Sequence, residues 1–236
     1  MILKAKNGTT SGKKRIRVSK NGPYLVSGGI PVVEHVIVAD SEGTANEWRV
    51  GKKYQLQEKC SLCRCGQSKN KPYCDGTHVE AKFDGTETAS GEPYIRQAKE
   101  INGPTLKLTD AEILCASARF CHRAGGIWDL IPQSGNLEAK RIATEEAGDC
   151  PSGRLVVCDK ETQKPIEPKL DNCIGLIEDI QMKVKGPIWA RGGILIESAD
   201  GKAYEVRNRV TLCRCGKSSN KPFCDSSHYP EEHEHV

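Results

Sequence analysis

A chain that repeats a cysteine-rich segment nearly residue for residue has two copies of one structural unit to place, and that requirement constrains every other part of its fold. CRCGQSKNKPYCDGTH at residues 63–78 returns as CRCGKSSNKPFCDSSH at residues 213–228. The likeness continues upstream. NGPYLVSGGIPV, with Gly22, Pro23, Gly28, Gly29 and Ile30, is echoed by KGPIWARGGILI, with Gly186, Pro187, Gly192, Gly193 and Ile194. Gly22 precedes Cys63 by 41 residues and Gly186 precedes Cys213 by 27, so the first copy carries about 14 extra residues. EHVIVADSEGTANEW holds them as a longer hairpin.

Alternation and β-branched residues in PYLVSGGIPVVEHVIVA and PIWARGGILIESADGKAYEVR predict short strands, with Asp200-Gly201 as a turn. Gly28-Gly29 and Gly192-Gly193 lie in strand patterns and open no helix, so they mark bulges or close backbone approaches and not a phosphate loop. Residues 82–103 read as a connector and residues 104–180 as a different, α+β unit. Within that unit TDAEILCASARF places Thr109 and Glu112 in capping-box spacing, and NLEAKRIATEEAG reads as a second helix. The expected division is residues 1–81 for the first strands and motif, 82–103, 104–180, and 181–236 for the second strands and motif. A disordered tail with His233 and His235 ends the last of these.

A Cys-x-Cys pair puts two sulfurs on one side of an extended backbone, which suits Cys63 with Cys65 and Cys213 with Cys215 to bind one iron each. Cys74 and His78, like Cys224 and His228, are four apart and share one face of a helix. The two irons of a 2Fe-2S cluster then have four protein ligands in each copy. Gly66 permits a tight turn, Asn70 and Pro72 suit a loop, and Asp75 stands near the start of the expected helix. Three thiolates and an imidazole also satisfy tetrahedral zinc, so a zinc-binding structural module competes, although zinc pairs usually have two to four intervening residues. The chain has 12 cysteines, no apolar leader and no apolar run near the roughly 18 to 20 residues of a membrane span, which predicts a cytoplasmic, metal-binding protein and not a disulfide framework. With a net charge of +4 and interspersed signs, nucleic acid is not implied as a partner.

Both copies resemble the CDGSH iron-sulfur family, also called NEET proteins, whose pattern is C-x-C-x2-(S/T)-x3-P-x-C-D-G-(S/A/T)-H. The first copy matches throughout, including Ser68 and Pro72, while the second has Ser226 in place of the glycine. The resemblance implies three-cysteine, one-histidine ligation of a 2Fe-2S cluster and two units packed under a β-rich cap. Two copies in one chain then imply an internal pseudo-dimer, a monomer with a pseudo-twofold axis, of α+β class. Imidazole binds iron only when unprotonated, so such clusters are expected to be acid-labile, with potentials above those of all-cysteine sites.

The middle unit adds Cys115, Cys121 and Cys150, the last followed by Pro151. Bacterial ferredoxin clusters use C-x2-C-x2-C plus a distant Cys-Pro, and CASARFC keeps the outer spacing with Ala118 at the middle position. Three thiolates suit a 3Fe-4S cluster; His122, Cys158 or Cys173 as a fourth ligand would make it 4Fe-4S. This stretch, with CPSGRLVV, resembles the divergent single-cluster ferredoxins over roughly 45 residues. A continuous helix would point Cys115 and Cys121 about 240° apart, so convergence requires a wrapping loop. The competing reading is that all three are buried thiols, as Cys60 is expected to be, while Trp48, Trp128 and Trp189 read as core. With no base, nucleophile and oxyanion constellation, the expected function is non-enzymatic electron or cluster transfer with a reductase or cluster acceptor as partner. A redox- or pH-sensing protein, and an enzyme using the middle cluster as a Lewis acid, are the alternatives.

Overall fold

Two pairs of glycines end the equivalent strands of both copies. In the computed structural model, which describes residues 13–230, Gly28, Gly29, Gly192 and Gly193 all adopt φ between 62 and 92°. The N–H groups of Gly28 and Gly29 both donate to the Glu58 carbonyl, and those of Gly192 and Gly193 to the Asn208 carbonyl. Glycine reaches these angles without a Cβ penalty. The tail with His233 and His235 lies outside the described residues.

The first copy supplies β1 (Arg15–Val18), β2 (Tyr24–Ser27), β3 (Val32–Ala39), β4 (Ala45–Lys53) and β5 (Lys59–Leu62). The helices α1 (Thr77–Glu80) and α2 (Tyr94–Gln97) follow, then β6 (Lys99–Asn102) and β7 (Leu106–Asp110). Next come 3-10 turns at Glu112–Leu114 and Phe120–Gly125, then α3 (Ile127–Leu130), α4 (Leu137–Asp149), β8 (Leu155–Asp159) and β9 (Lys164–Pro165). The second copy supplies β10 (Cys173–Asp179), β11 (Val184–Arg191), β12 (Leu195–Glu197) and β13 (Arg209–Leu212).

The copies exchange strands. One sheet runs β12-β1-β2-β5 and the other β13-β11-β10-β3-β4, so the first takes β12 from the second copy and the other takes β3, with β4 beside it, from the first. β1 pairs with β12 in parallel with Ile16 opposite Ile196, and β10 pairs with β3 in parallel with Ile174 opposite Val32. These are the same pairings seen from either side of a pseudo-twofold, since Ile16 corresponds to Ile174 and Ile196 to Val32. One core joins the copies, with Val18 and Leu176, Tyr24 and Ile188, Ile30 and Ile194, and Leu62 and Leu212 as equivalent members. Cys60, half-buried, packs against this core.

β4 has no counterpart in the β12-β1-β2-β5 sheet, and the β3–β4 hairpin is where the extra residues of the first copy stand. It docks the middle unit. Trp48 stacks on Phe120 at 4.5 Å between centroids and lies 4.9 Å from Trp189, and Trp48 Nε1 donates to the Asp149 carbonyl at 3.1 Å. Arg119 and Arg123 donate through Nε to the carbonyls of Gly43 and Ala45, both at 3.0 Å.

The middle unit has its own antiparallel sheet, β6-β7-β8-β9, and its own core of Leu106, Leu108, Leu155 and Val157 under α3 and α4. α4 is the helix expected in NLEAKRIATEEAG: Asn136 caps it by accepting from Glu138 N and Ala139 N, and Ala139, Ala143 and Ala147 form its buried face. The helix signalled by Thr109 and Glu112 does not form. Thr109 belongs to β7, paired with Val156 of β8, because sheet pairing of Leu106 and Leu108 buries more apolar surface than a local cap secures. Strand pairing also crosses two of the divisions expected from sequence: β6 lies within residues 82–103 yet pairs with β7, and β10 begins within 104–180 yet joins the second copy's sheet.

α4 also buries a carboxyl. Glu146 is fully buried with neither oxygen hydrogen-bonded, and burial raises its pKa to about 8 against the pull of Arg123. The folded chain therefore holds a proton that the unfolded chain releases near pH 4.3, and stability falls as pH rises from there toward 8. Glu146→Gln is expected to match the parent in urea unfolding at pH 5 and to exceed it at pH 7.5. Parallel pH profiles for the two proteins would contradict this.

Candidate metal centres

Each motif is a loop pinned at both ends to the strand that precedes it. The N–H of Cys63 donates to the Pro72 carbonyl at 2.8 Å and that of Cys74 to the Ser61 carbonyl at 2.9 Å; Cys213 to Pro222 and Cys224 to Thr211 repeat this at 2.9 Å each. Ser68 donates to the Tyr73 carbonyl and Ser218 to the Phe223 carbonyl. Asp75 accepts from the N–H groups of Lys69 and Thr77, which with the Thr77 side chain hold its carboxyl well below the carboxylate range. Asp225 does the same for Ser219 and Ser227; burial opposes ionisation there, but these hydrogen bonds prevail and its pKa is about 2.

The loops bring the predicted ligands together in pairs. Cys63 Sγ stands 3.8 Å from Cys65 Sγ and Cys213 Sγ 3.6 Å from Cys215 Sγ, while Cys74 Sγ to His78 Nδ1 and Cys224 Sγ to His228 Nδ1 are each 3.4 Å. Two sulfurs on one tetrahedral metal at about 2.3 Å lie about 3.7 Å apart, and a sulfur and an imidazole nitrogen about 3.5 Å apart. Each pair thus has the bite of a chelate on one metal. Among the described residues no group of three or more His, Cys, Asp or Glu side chains is set to hold a single metal ion. The expected helix from Cys74 to His78 is shorter than the reading required: α1 starts at Thr77, and residues 224–228 form no helix. The Asx turn at Asp75 or Asp225 takes over the role of bringing cysteine and histidine together.

The arginine between each Cys-x-Cys pair was not anticipated. Arg64, 1% exposed, donates to the carbonyls of Ser19 and Gly85, and Arg214 donates to those of Gly186 and Ile177 and to Glu178. Both turn inward as the flanking sulfurs turn the other way, and their recurrence in both CRC segments was the available signal. The Tyr24 hydroxyl crosses the pseudo-twofold to donate to the Cys213 carbonyl at 2.8 Å. A Cβ on Gly66 would stand 2.4 Å from the Cys215 carbonyl oxygen, and one on Gly216 2.6 Å from that of Cys65, so the two motif loops touch across the axis.

The surroundings of the two motifs differ. Cys224 is 2% exposed and Cys74 half-buried. Burial, with Arg214 nearby, lowers the pKa of His228 to about 4, and its Nε2 is buried without a partner.

Cys115, Cys121 and Cys150 line one cavity of about 1040 Å³, together with His122. The segment between the first two wraps as a loop and not a helix, with Ser117 and Arg119 at φ 50 and 64°. Burial pushes the Cys121 thiol up, and the charges of Cys150 and Cys115 add to this, so the three sulfurs sense one another. Arg154 sits beside Cys115 and is anchored to Asp110 at 2.6 and 2.9 Å. Of the fourth ligands considered, His122 alone lines the cavity: Cys158 lies beside Lys107 on the middle sheet, and Cys173 beside Arg191.

Gly66→Ala is expected to lower the unfolding midpoint and to disturb the opposite motif, because strain at φ 77° adds to a clash with the Cys215 backbone. Gly76→Ala, at φ 91° with open space around it, should carry the strain alone, about 1 to 2 kcal/mol. Equal losses in the two variants, measured by chemical denaturation, would contradict the contact across the axis.

Residues 21–79 and 185–229 match the family model described as iron-binding zinc finger CDGSH type, and residues 101–160 match the one described as divergent 4Fe-4S mono-cluster. No curated protein and no solved structure was found to match the chain. Two segments that match the CDGSH model thus flank one that matches the divergent 4Fe-4S mono-cluster model, and together they support an iron-sulfur protein.

Proposed function

We propose that this protein is a one-electron carrier, without catalysis of its own, that holds two 2Fe-2S clusters and a third cubane-type cluster. The first two sit on Cys63, Cys65, Cys74 and His78 and on Cys213, Cys215, Cys224 and His228, and the third on Cys115, Cys121 and Cys150. The observation that carries this is the pairing of the donors at chelate distances, two pairs to a motif, which suits two adjacent irons better than one zinc. When bound, the clusters supply a one-electron couple. The chain's own part is to fix the sulfurs: Gln67 N–H donates to Cys65 Sγ at 3.4 Å and Lys217 N–H to Cys215 Sγ at 3.5 Å, bonds that stabilise thiolates and raise the potential of what they hold.

His122 is the candidate fourth donor at the middle site, making a 4Fe-4S cluster; without it the three cysteines suit 3Fe-4S. The partner is a redox protein, a reductase or a cluster acceptor. Among the described residues no helix is long and apolar enough to cross a membrane, and a cytoplasmic location is part of the proposal.

Iron and sulfide analysis of anaerobically purified protein is expected to give about seven or eight irons and eight sulfides per chain, with reversible one-electron reduction. About four of each, zinc in place of iron, or cluster loss on reduction would contradict the reading. The histidines add a pH dependence. His228 remains neutral down to about pH 4, so whatever its neutral form stabilises is intact above about pH 6.5 and is lost as pH falls through 4. On acidification the visible absorbance should therefore fall, and His78→Cys should leave the 63–78 centre resistant to acid. Equal acid lability in variant and parent would contradict it.

A further inference from the structure

The second motif departs from the first at one position of its CDG segment, and the structure places that position where the second copy meets the middle unit. Gly76 of the first copy has φ 91° and nothing within 4 Å of an added Cβ. Ser226 holds the equivalent place at φ 74° and is 6% exposed. A non-glycine residue is strained in this region of backbone space, and the contacts of its side chain account for its presence. Ser226 Oγ donates to the Cys115 carbonyl at 2.9 Å and accepts from Ser117 Oγ at 2.7 Å. Burial pushes the Cys224 thiol up, and the Ser226 backbone N–H, which faces its sulfur, opposes that rise. One residue therefore touches a predicted ligand of the second motif through its amide and a predicted ligand of the middle site through its hydroxyl.

Neighbouring contacts hold the same two loops together. Asn220 Nδ2 donates to the Ile113 carbonyl at 3.3 Å and the Tyr229 hydroxyl to the Ser117 carbonyl at 3.2 Å. In the first copy the equivalent positions are Asn70 and Val79, both exposed, the latter to 71%. The first motif thus has open surroundings where the second has the middle unit.

We propose that Ser226 is a positioning residue that joins the second CDGSH centre to the middle centre as one electron-transfer pair, a link for which the first centre has no counterpart. This rests on the cluster assignment above. An electron supplied by an external one-electron donor of low potential to the middle site reaches the second site along the Cys115 carbonyl, the Ser226 hydroxyl, the Ser226 amide and the Cys224 sulfur. One centre is oxidised and the other reduced by that single electron, with no bond made or broken and no proton required. Hydrogen bonds of this kind also set potentials, so the hydroxyl acts on driving force as well as on contact.

Ser226→Gly restores the residue of the first copy, relieves the backbone strain and removes only the hydroxyl bonds. Full-length protein with its clusters would be mixed with one electron equivalent of dithionite and freeze-quenched, and electron paramagnetic resonance would follow redistribution between the middle and second sites. The expected result is about tenfold slower redistribution in the variant, with a shifted midpoint potential at the 213–228 centre and parent-level iron. Parent-like redistribution with full iron overturns the coupling while leaving the cluster assignment standing. About four irons in the parent overturns both. Where Ser226→Gly loses iron, Ser117→Ala decides, because it keeps the Ser226–Cys115 bond: a parent-like rate supports the proposal and a tenfold slower one overturns it.

Discussion

Parallel pairing of Ile16 with Ile196 and of Ile174 with Val32 is the constraint on which the rest of this protein depends. A single copy of the repeat, folded alone, would leave an edge of its sheet open and an apolar face uncovered, and short sheets of that size are marginal in water. Exchange of β12 and β3 between the copies closes both edges with the same register. It also fuses the two apolar faces into one core, in which Leu62 and Leu212 sit immediately before the two Cys-x-Cys segments. The motif loops inherit their placement from those strands, which is why Gly66 and Gly216 meet the opposite motif's backbone.

Symmetry is then broken in two places, both in favour of the middle unit. The β3–β4 hairpin, present in one copy only, offers Trp48, Gly43 and Ala45 to Phe120, Arg119 and Arg123, and so fixes the loop between Cys115 and Cys121. The second motif loop grips the other side of that loop through Ser226 and Tyr229. Arg119 is shared, since it also pairs with Asp179 at 2.7 Å and donates to the Tyr229 hydroxyl at 2.9 Å. The middle cysteines are thus held from both copies at once, and the two CDGSH centres are no longer equivalent in burial or neighbours.

Much of this was legible in the sequence, because a repeat with invariant ligands, a glycine pair and a known excess of residues specifies both copies and the location of the extra hairpin. α4 was legible through its asparagine cap and alanine spacing. The strand exchange was not, since β1 and β10 pair across more than a hundred residues and nothing local encodes the partner. Thr109 misled for the opposite reason: its capping-box spacing is real, but the apolar Leu106 and Leu108 beside it satisfy a sheet. The wrap around Cys115 to Cys121 depends on positive φ at Ser117 and Arg119, residues that do not advertise such angles. Ser226 was visible as a departure from pattern, yet its purpose appeared only with its partners Cys115 and Ser117.

The central claim is that one duplicated chain builds two metal centres with the same ligand set, related by its pseudo-twofold, and a third, distinct one between its copies. Anomalous diffraction from crystals of anaerobically purified protein, recorded on both sides of the iron and zinc absorption edges, tests it most directly. The account predicts iron-edge density beside Cys63, Cys65, Cys74 and His78, pseudo-twofold-related density beside Cys213, Cys215, Cys224 and His228, and a third site among Cys115, Cys121 and Cys150. Density that appears at the zinc edge alone, or an empty site among the three middle cysteines, would contradict it.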